Sequence, residues 1–165
     1  MDVDALLKAL EATSVATAIA EGDSLFPWIE SIHVLAITLV VGTIMIVDLR
    51  LLGVASRDRA VTRLTRDVLP CTWAAFVVAA ISGGLMFSSK ASVYGHNFYF
   101  QVKLILLVLA GINMVIFHPF SSRGIERWGT AAAATPLPAR IAGAVSLLVW
   151  IGVVTFGRWV GFTLQ

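Results

Sequence analysis

Residues 28–52 read WIESIHVLAITLVVGTIMIVDLRLL, and this stretch decides the fold. Val34 to Val47 is an apolar run without a charge, preceded by Glu30 and His33 and followed by Asp48 and Arg50. With its flanks the segment covers about 20–25 positions, enough at ~1.5 Å per residue to cross a hydrocarbon core of ~30 Å. Its ionisable residues sit near the two ends, where a spanning helix carries them at lowest cost. The segment reads as a membrane helix with a candidate ligand, His33, near one end.

The composition points the same way. The chain has 165 residues, is 58% hydrophobic and only 13% charged, and its mean hydropathy is +0.88. A soluble domain of that length has no interior large enough for so much apolar surface. A net charge of +2 gives no footprint for nucleic acid. Cys71 stands alone, which excludes an internal disulfide and a cysteine-rich metal site.

Working outward, the N-terminal segment 2–21 opens with Asp2 and Asp4, unlike a cleaved signal. Val3, Leu6, Leu7, Leu10, Val15 and Ile19 recur at helical spacing, with Lys8 and Glu11 off the stripe. This predicts an amphipathic helix lying on the membrane or on the bundle. Gly22 to Pro27 breaks it, with Asp23 or Ser24 placed to cap the next helix. Trp28 falls where interfacial aromatics lie. Three further spans are expected at about 69–88, 98–118 and 139–160, the second starting at Pro70 and the third ended by Pro119. Residues 89–97 are read as a loop. The expected fold is all-α: an integral membrane four-helix bundle with an N-terminal amphipathic helix, one domain over residues 1–165. The pairs Ala79/Gly83, Ala80/Gly84 and Gly157/Gly161 mark faces for close helix packing.

Arg50, Arg57, Arg59, Arg63, Arg66, Arg123, Arg127 and Arg140 fall on one side of this topology. They outnumber Lys8, Lys90, Lys103 and Arg158 on the other. The excess predicts arginine-rich loops in the cytoplasm and both termini outside, in a bacterial inner membrane. The first and third spans then run in the same direction. His33 and His118 are separated by roughly 20 Å in depth. Axial ligands of one haem stand only ~4 Å apart across the iron, from metal–nitrogen bonds of ~2 Å. The two histidines cannot share a haem within one subunit.

Two separate polar clusters follow. One gathers His33, Met86, His96 and Lys103 with Glu30, Lys90 and Tyr94. The other gathers Asp48, Arg50, Asn113 and His118. His33 is a candidate haem or metal ligand, since helix-borne imidazole in a four-helix bundle is a recurrent haem arrangement. His96 or Met86 lies on the same side and can complete coordination, and Lys103 can meet Glu30 or a haem propionate. Bland readings stand beside these. His33 can be an interfacial histidine, His96 a solvated loop residue and Lys103 a snorkelling cation. Asp48 and Arg50 read most simply as a structural ion pair or a helix anchor. No nucleophile–base motif, phosphate loop or metalloprotease motif is present.

The segments PWIESIHVLAITLVVGTIMIVDLRLLG (27–53), GGLMFSSKASVYGHNFYFQVKLILLVLAGINMVIFH (83–118) and GRWVGF (157–162) resemble an uncharacterised bacterial family of four-span membrane proteins. That family is a domain of unknown function, so the resemblance implies an architecture and no chemistry. A weaker likeness extends to the copper-resistance D-type membrane proteins and to the haem-binding protoporphyrinogen oxidase family. These carry a first-span histidine, a glycine and an arginine, matched here by His33, Gly42 and Arg50, and the oxidase family has a lysine matched by Lys103. The chain departs from the oxidase pattern at Asp48-Leu49-Arg50, where that family has proline–arginine, and in its longer Lys103-to-His118 spacing.

The resulting expectation is b-type haem near the outer face, bound through His33. It would serve electron transfer or oxidoreductase chemistry, exchanging electrons with quinone or a redox partner protein. A copper-handling or transport protein using His33, Met86 and His96 is the alternative, and a ligand-free accessory subunit is a third. Homo-oligomer formation stays open.

Overall fold

The computed structural model describes residues 2–55, 59–122 and 135–163, the stretch 117–122 by its backbone. The described residues form helices α1 (Val3–Glu11), α2 (Ser14–Glu21), α3 (Leu25–Leu51), α4 (Val61–Ser89), α5 (Ala91–His96), α6 (Phe98–Ser122) and α7 (Leu137–Thr163). Four of them are long and apolar enough to cross a membrane: α3, α4, the stretch Phe98–Ile116 of α6, and α7. Their outward surfaces are apolar; Leu35, Leu39, Ile81, Val108, Val115 and Leu148 are all exposed, as lipid contact requires. Inside these spans Thr38, Thr43, Thr72 and Ser82 return their hydroxyl protons to carbonyls in the preceding turn.

The hairpin α3–α4 and the hairpin α6–α7 are the two main packing units, joined by α3 against α7. The close approach at that join depends on Gly143. A Cβ there would lie 3.1 Å from Leu51 Cβ and 3.2 Å from the Asp48 carbonyl oxygen. Below it Leu51, Val61 and Ala139 form a small buried cluster with Val47 against it. α3 ends at Gly53, whose φ of +73° places it in the left-handed region. Its N–H bonds the Arg50 carbonyl at 3.1 Å, a turn a side chain would strain.

Several boundaries differ from the sequence reading, and α6 continues through Pro119 to Ser122 instead of ending at that proline. α4 starts at Val61 rather than near 69, so Pro70 lies inside the helix. Val61 (1% exposed) is buried against Leu51 of α3 and Ala139 of α7, Leu64 one turn on is also buried, and that burial holds the early turns despite the backbone bond Pro70 removes. Residues 91–96 form a short helix instead of a loop, because Ala91 and Tyr94 are buried. The N-terminal helix is two helices, broken at Thr13, whose hydroxyl accepts from the Ala16 N–H at 3.4 Å. At the start of α3 Ser24 occupies the cap position without a side-chain bond. Trp28 is 69% exposed at the same end of the bundle.

α1 docks on α5 and α2 on α4. The Glu11 carboxylate receives the Ser92 N–H at 2.8 Å and the Ser92 hydroxyl at 3.0 Å. Leu7 packs on Gly95, where a Cβ would stand 2.9 Å from its Cδ1. Val3, Leu6, Leu10 and Val15 remain exposed while Leu7 and the buried Ile19 turn inward, so the apolar stripe is divided between the bundle and the outside.

Candidate functional site

His33 lies at the α3–α4 contact, a little more than two turns into α3. Its Nδ1 is 3.0 Å from the hydroxyl of buried Ser82 on α4. Ser82 has one proton and directs it to the Val78 carbonyl at 2.7 Å. With that proton on the Val78 carbonyl the hydroxyl accepts from the ring, the tautomer that carries its proton on Nδ1 and leaves a lone pair on Nε2; with the hydroxyl turned to the ring the tautomer reverses. The Ala79 carbonyl is a further acceptor beside the ring. Gly83 makes the approach possible, since a Cβ there would stand 2.9 Å from His33 Cε1. The Ala79/Gly83 face thus seats an imidazole as well as packing helices.

Lys103, on the second turn of α6, lies within electrostatic reach of His33. Its stem crosses Gly157 of α7, where a Cβ would be 3.5 Å from Cδ and 3.7 Å from Nζ. Met86 follows Ser82 by one turn of α4 and is half-buried. His96 takes another direction. Its Nδ1 is 2.8 Å from the Ser92 carbonyl and its Nε2 is 3.3 Å from Asp4 on α1, so the ring is turned toward α1. Among the described residues no three His, Cys, Asp or Glu side chains converge on a metal position.

Stacked rings close this end of the bundle: Phe87 on Phe100 at 5.3 Å, with Tyr94 5.4 Å from Phe100. Tyr99 stacks on Trp159 at 5.9 Å, and Arg158 sits 4.6 Å over the Phe162 ring. Burial pushes the Tyr94 phenol above its ordinary 10.0, and the Glu30 carboxylate nearby adds to the rise. A raised folded-state value stabilises the fold below the unfolded value and loses that contribution as pH climbs through the folded one. In Tyr99→Phe, which leaves Tyr94 as the remaining one of two tyrosines, phenolate absorbance is expected to appear only above about pH 10. Stability should decline over the same interval. A midpoint at or below 10 would contradict the burial.

At the opposite end, Asp48 and Asn113 line one cavity of about 300 Å³ shared by all four spanning helices. The expected Asp48–Arg50 ion pair is absent. Two residues apart on a helix they point to nearly opposite faces, and Arg50 instead donates from Nε to the Arg59 carbonyl at 2.8 Å and reaches Thr135 from Nη1 at 3.4 Å. Asn113 donates to the Ala142 carbonyl at 3.2 Å, tying α6 to α7. The side chain of His118, placed in this cluster from sequence, lies outside the described residues, as do Arg57, Arg123 and Arg127.

Ser82, Gly83 and Ser146, which stands beside the Asp48 carboxyl, were not singled out by sequence for these roles. Their only signal is position: opposite His33 or Asp48 once the helices are paired antiparallel. Residues 18–163 match the model of a family described as of unknown function (DUF6644). No curated protein and no solved structure matches the chain.

Proposed function

The chain belongs to that family of unknown function, and since the family brings no established chemistry we propose from its own residues that it binds b-type haem at the His33 end. It would work in electron transfer or as part of a membrane oxidoreductase in the bacterial cytoplasmic membrane. The observation that carries the reading is the Ser82 bond to His33 Nδ1. An imidazole ligand characteristically donates its other ring N–H to a protein acceptor, which fixes the ring and raises the basicity of the ligating nitrogen. The donor chemistry fits in two further respects: Lys103 supplies a cation near His33 for a propionate, and Met86 lies one turn beyond Ser82 on the same helix. With His96 turned toward Asp4 on α1, Met86 is the better second ligand. His33 is not among the residues lining the cavity at the Asp48 end, so that space has no part in this reading.

Haem, when bound, supplies one-electron chemistry. The chain's own residues hold the ring nitrogen (His33, Ser82), admit the imidazole (Gly83) and place a cation (Lys103). The arginine excess at the Asp48 end favours the cytoplasm for that end and an outside location for the termini. A redox partner protein or a second copy of the chain would meet the exposed surface at the His33 end.

Protein purified after haem-sufficient expression is expected to show a Soret band, lost in His33→Ala. Ser82→Ala is expected to keep the ligand but lower haem affinity by about 10–100-fold. A wild-type protein without a Soret band, or an unchanged band in His33→Ala, overturns the proposal. Stoichiometric copper without a Soret band would favour the copper-handling alternative.

A further inference from the structure

The cavity at the Asp48 end has walls from α3, α4, α6 and α7 and is mostly apolar, with Trp73, Phe76 and Trp150 supplying aromatic faces. Most of its polar groups are already bonded within the protein. Thr72 donates toward the Thr43 hydroxyl at 2.8 Å and the Val68 carbonyl at 3.0 Å, and Thr43 toward the Leu39 carbonyl at 2.7 Å. The Asn113 amide is held by Ala142. Asp48 differs. It is 4% exposed, and its Oδ2 is the buried side-chain polar atom left without a hydrogen-bond partner among the described residues. An unpaired buried acceptor is costly enough that native structures rarely keep one without a use.

We propose that this cavity binds the ring of a lipid-soluble phenol or hydroquinone, whose hydroxyl donates to Asp48 Oδ2. The volume is at the lower end of ligand clefts, which run from about 300 to 1,000 Å³, so it accepts one substituted ring rather than a whole lipid. Access is from the side. α4 and α6 do not pack side by side along the cavity, and Trp73 (47% exposed) and Met114 (41% exposed) stand at its rim. A ligand already dissolved in the bilayer enters between these helices and leaves its tail in the lipid. The head group is a hydroxyl because a neutral donor satisfies the carboxyl oxygen without bringing a charge into an apolar wall. An ammonium would have to shed its full hydration there. This site is independent of haem at His33.

The test is calorimetric titration of the purified protein in detergent with decylhydroquinone, kept reduced under argon, and with its dimethyl ether. The wild type is expected to bind the hydroquinone saturably and the ether about 10–100-fold more weakly, the scale of one buried hydrogen bond to a carboxyl group. Asp48→Leu is expected to bind the hydroquinone as weakly as the wild type binds the ether. Asp48→Asn, which keeps one acceptor oxygen, should fall between. Equal affinity for the two ligands, undiminished binding by Asp48→Leu, or no saturable binding overturns the proposal. Repeating the titration in His33→Ala separates it from the haem reading, since binding at the Asp48 end should persist there.

Discussion

Replacing Gly143 with leucine is expected to lower the thermal midpoint in detergent by about 6–12 °C. The position is where α7 crosses α3. A Cβ would already meet Leu51 Cβ at 3.1 Å and the Asp48 carbonyl oxygen at 3.2 Å. Neither atom is the free end of a flexible side chain, so relief requires moving a helix. Even Gly143→Ala demands a shift of a few tenths of an ångström. Leucine adds three more carbons beside the packed Leu51, Val61 and Ala139. Overpacking of this kind costs about 3 kcal/mol, and 1 kcal/mol moves the midpoint of a chain this size by about 2–4 °C. Gly84→Leu is the control. A Cβ there meets nothing within 4 Å, and the loss of glycine from a helix favours stability slightly. Equal midpoints for the two variants would mean that the tight α3–α7 crossing is not formed.

Asp48→Leu is expected to act in the opposite direction, raising the midpoint by roughly 4–8 °C. The wild-type carboxyl is buried with Oδ2 unpartnered, and leaving a buried acceptor unmade costs about 1–3 kcal/mol. Leucine removes that cost, the Ser146 hydroxyl that bonds the carboxyl in the wild type can return its proton to the carbonyl one turn back, and the adjoining cavity has room for leucine's extra bulk. At about 2 kcal/mol the shift follows from the same 2–4 °C per kcal/mol. A midpoint that falls instead would show that Oδ2 has a bonding partner in the purified protein. A more stable variant that no longer binds the hydroquinone would be the usual exchange between stability and function at a binding site. The two substitutions act at the same α3–α7 crossing but on different terms, packing in one case and polar satisfaction in the other.

Much of the arrangement could be read in advance because helical direction fixes depth. Once residues 28–52 were a span, His33 and Asp48 belonged to opposite ends, and Lys103 and Asn113 sorted with them through the parallel third span. Glycine at 83 and 143 was visible as a small residue, but not what it admits: an imidazole at one position, the backbone of α3 at the other. The Asp48–Arg50 pair looked plausible as neighbours in sequence, yet a helix rotates residues two apart to opposite sides. The helical start at Val61 was hidden because Pro70 and the arginines between signal a break locally, whereas the burial of Val61 and Leu64 is a tertiary effect. His96 gave no hint of Asp4, since the docking of α1 on α5 joins segments far apart in the chain.

The sequence by itself determined the class, the number of spans and the end of the bundle to which each ionisable residue belongs. Those follow from apolar length against hydrocarbon thickness and from the fixed rise of a helix. Only the tertiary structure decided which side chains are partnered. His33 gains Ser82 because α3 and α4 lie close enough at Gly83, whereas Asp48 keeps an unpaired oxygen because Arg50 turns to the Arg59 carbonyl and α4 and α6 stand apart beside it. Hydropathy records transfer from water to lipid, one residue at a time. Pairing depends on how helices cross, and that is set by contacts between residues distant in the chain.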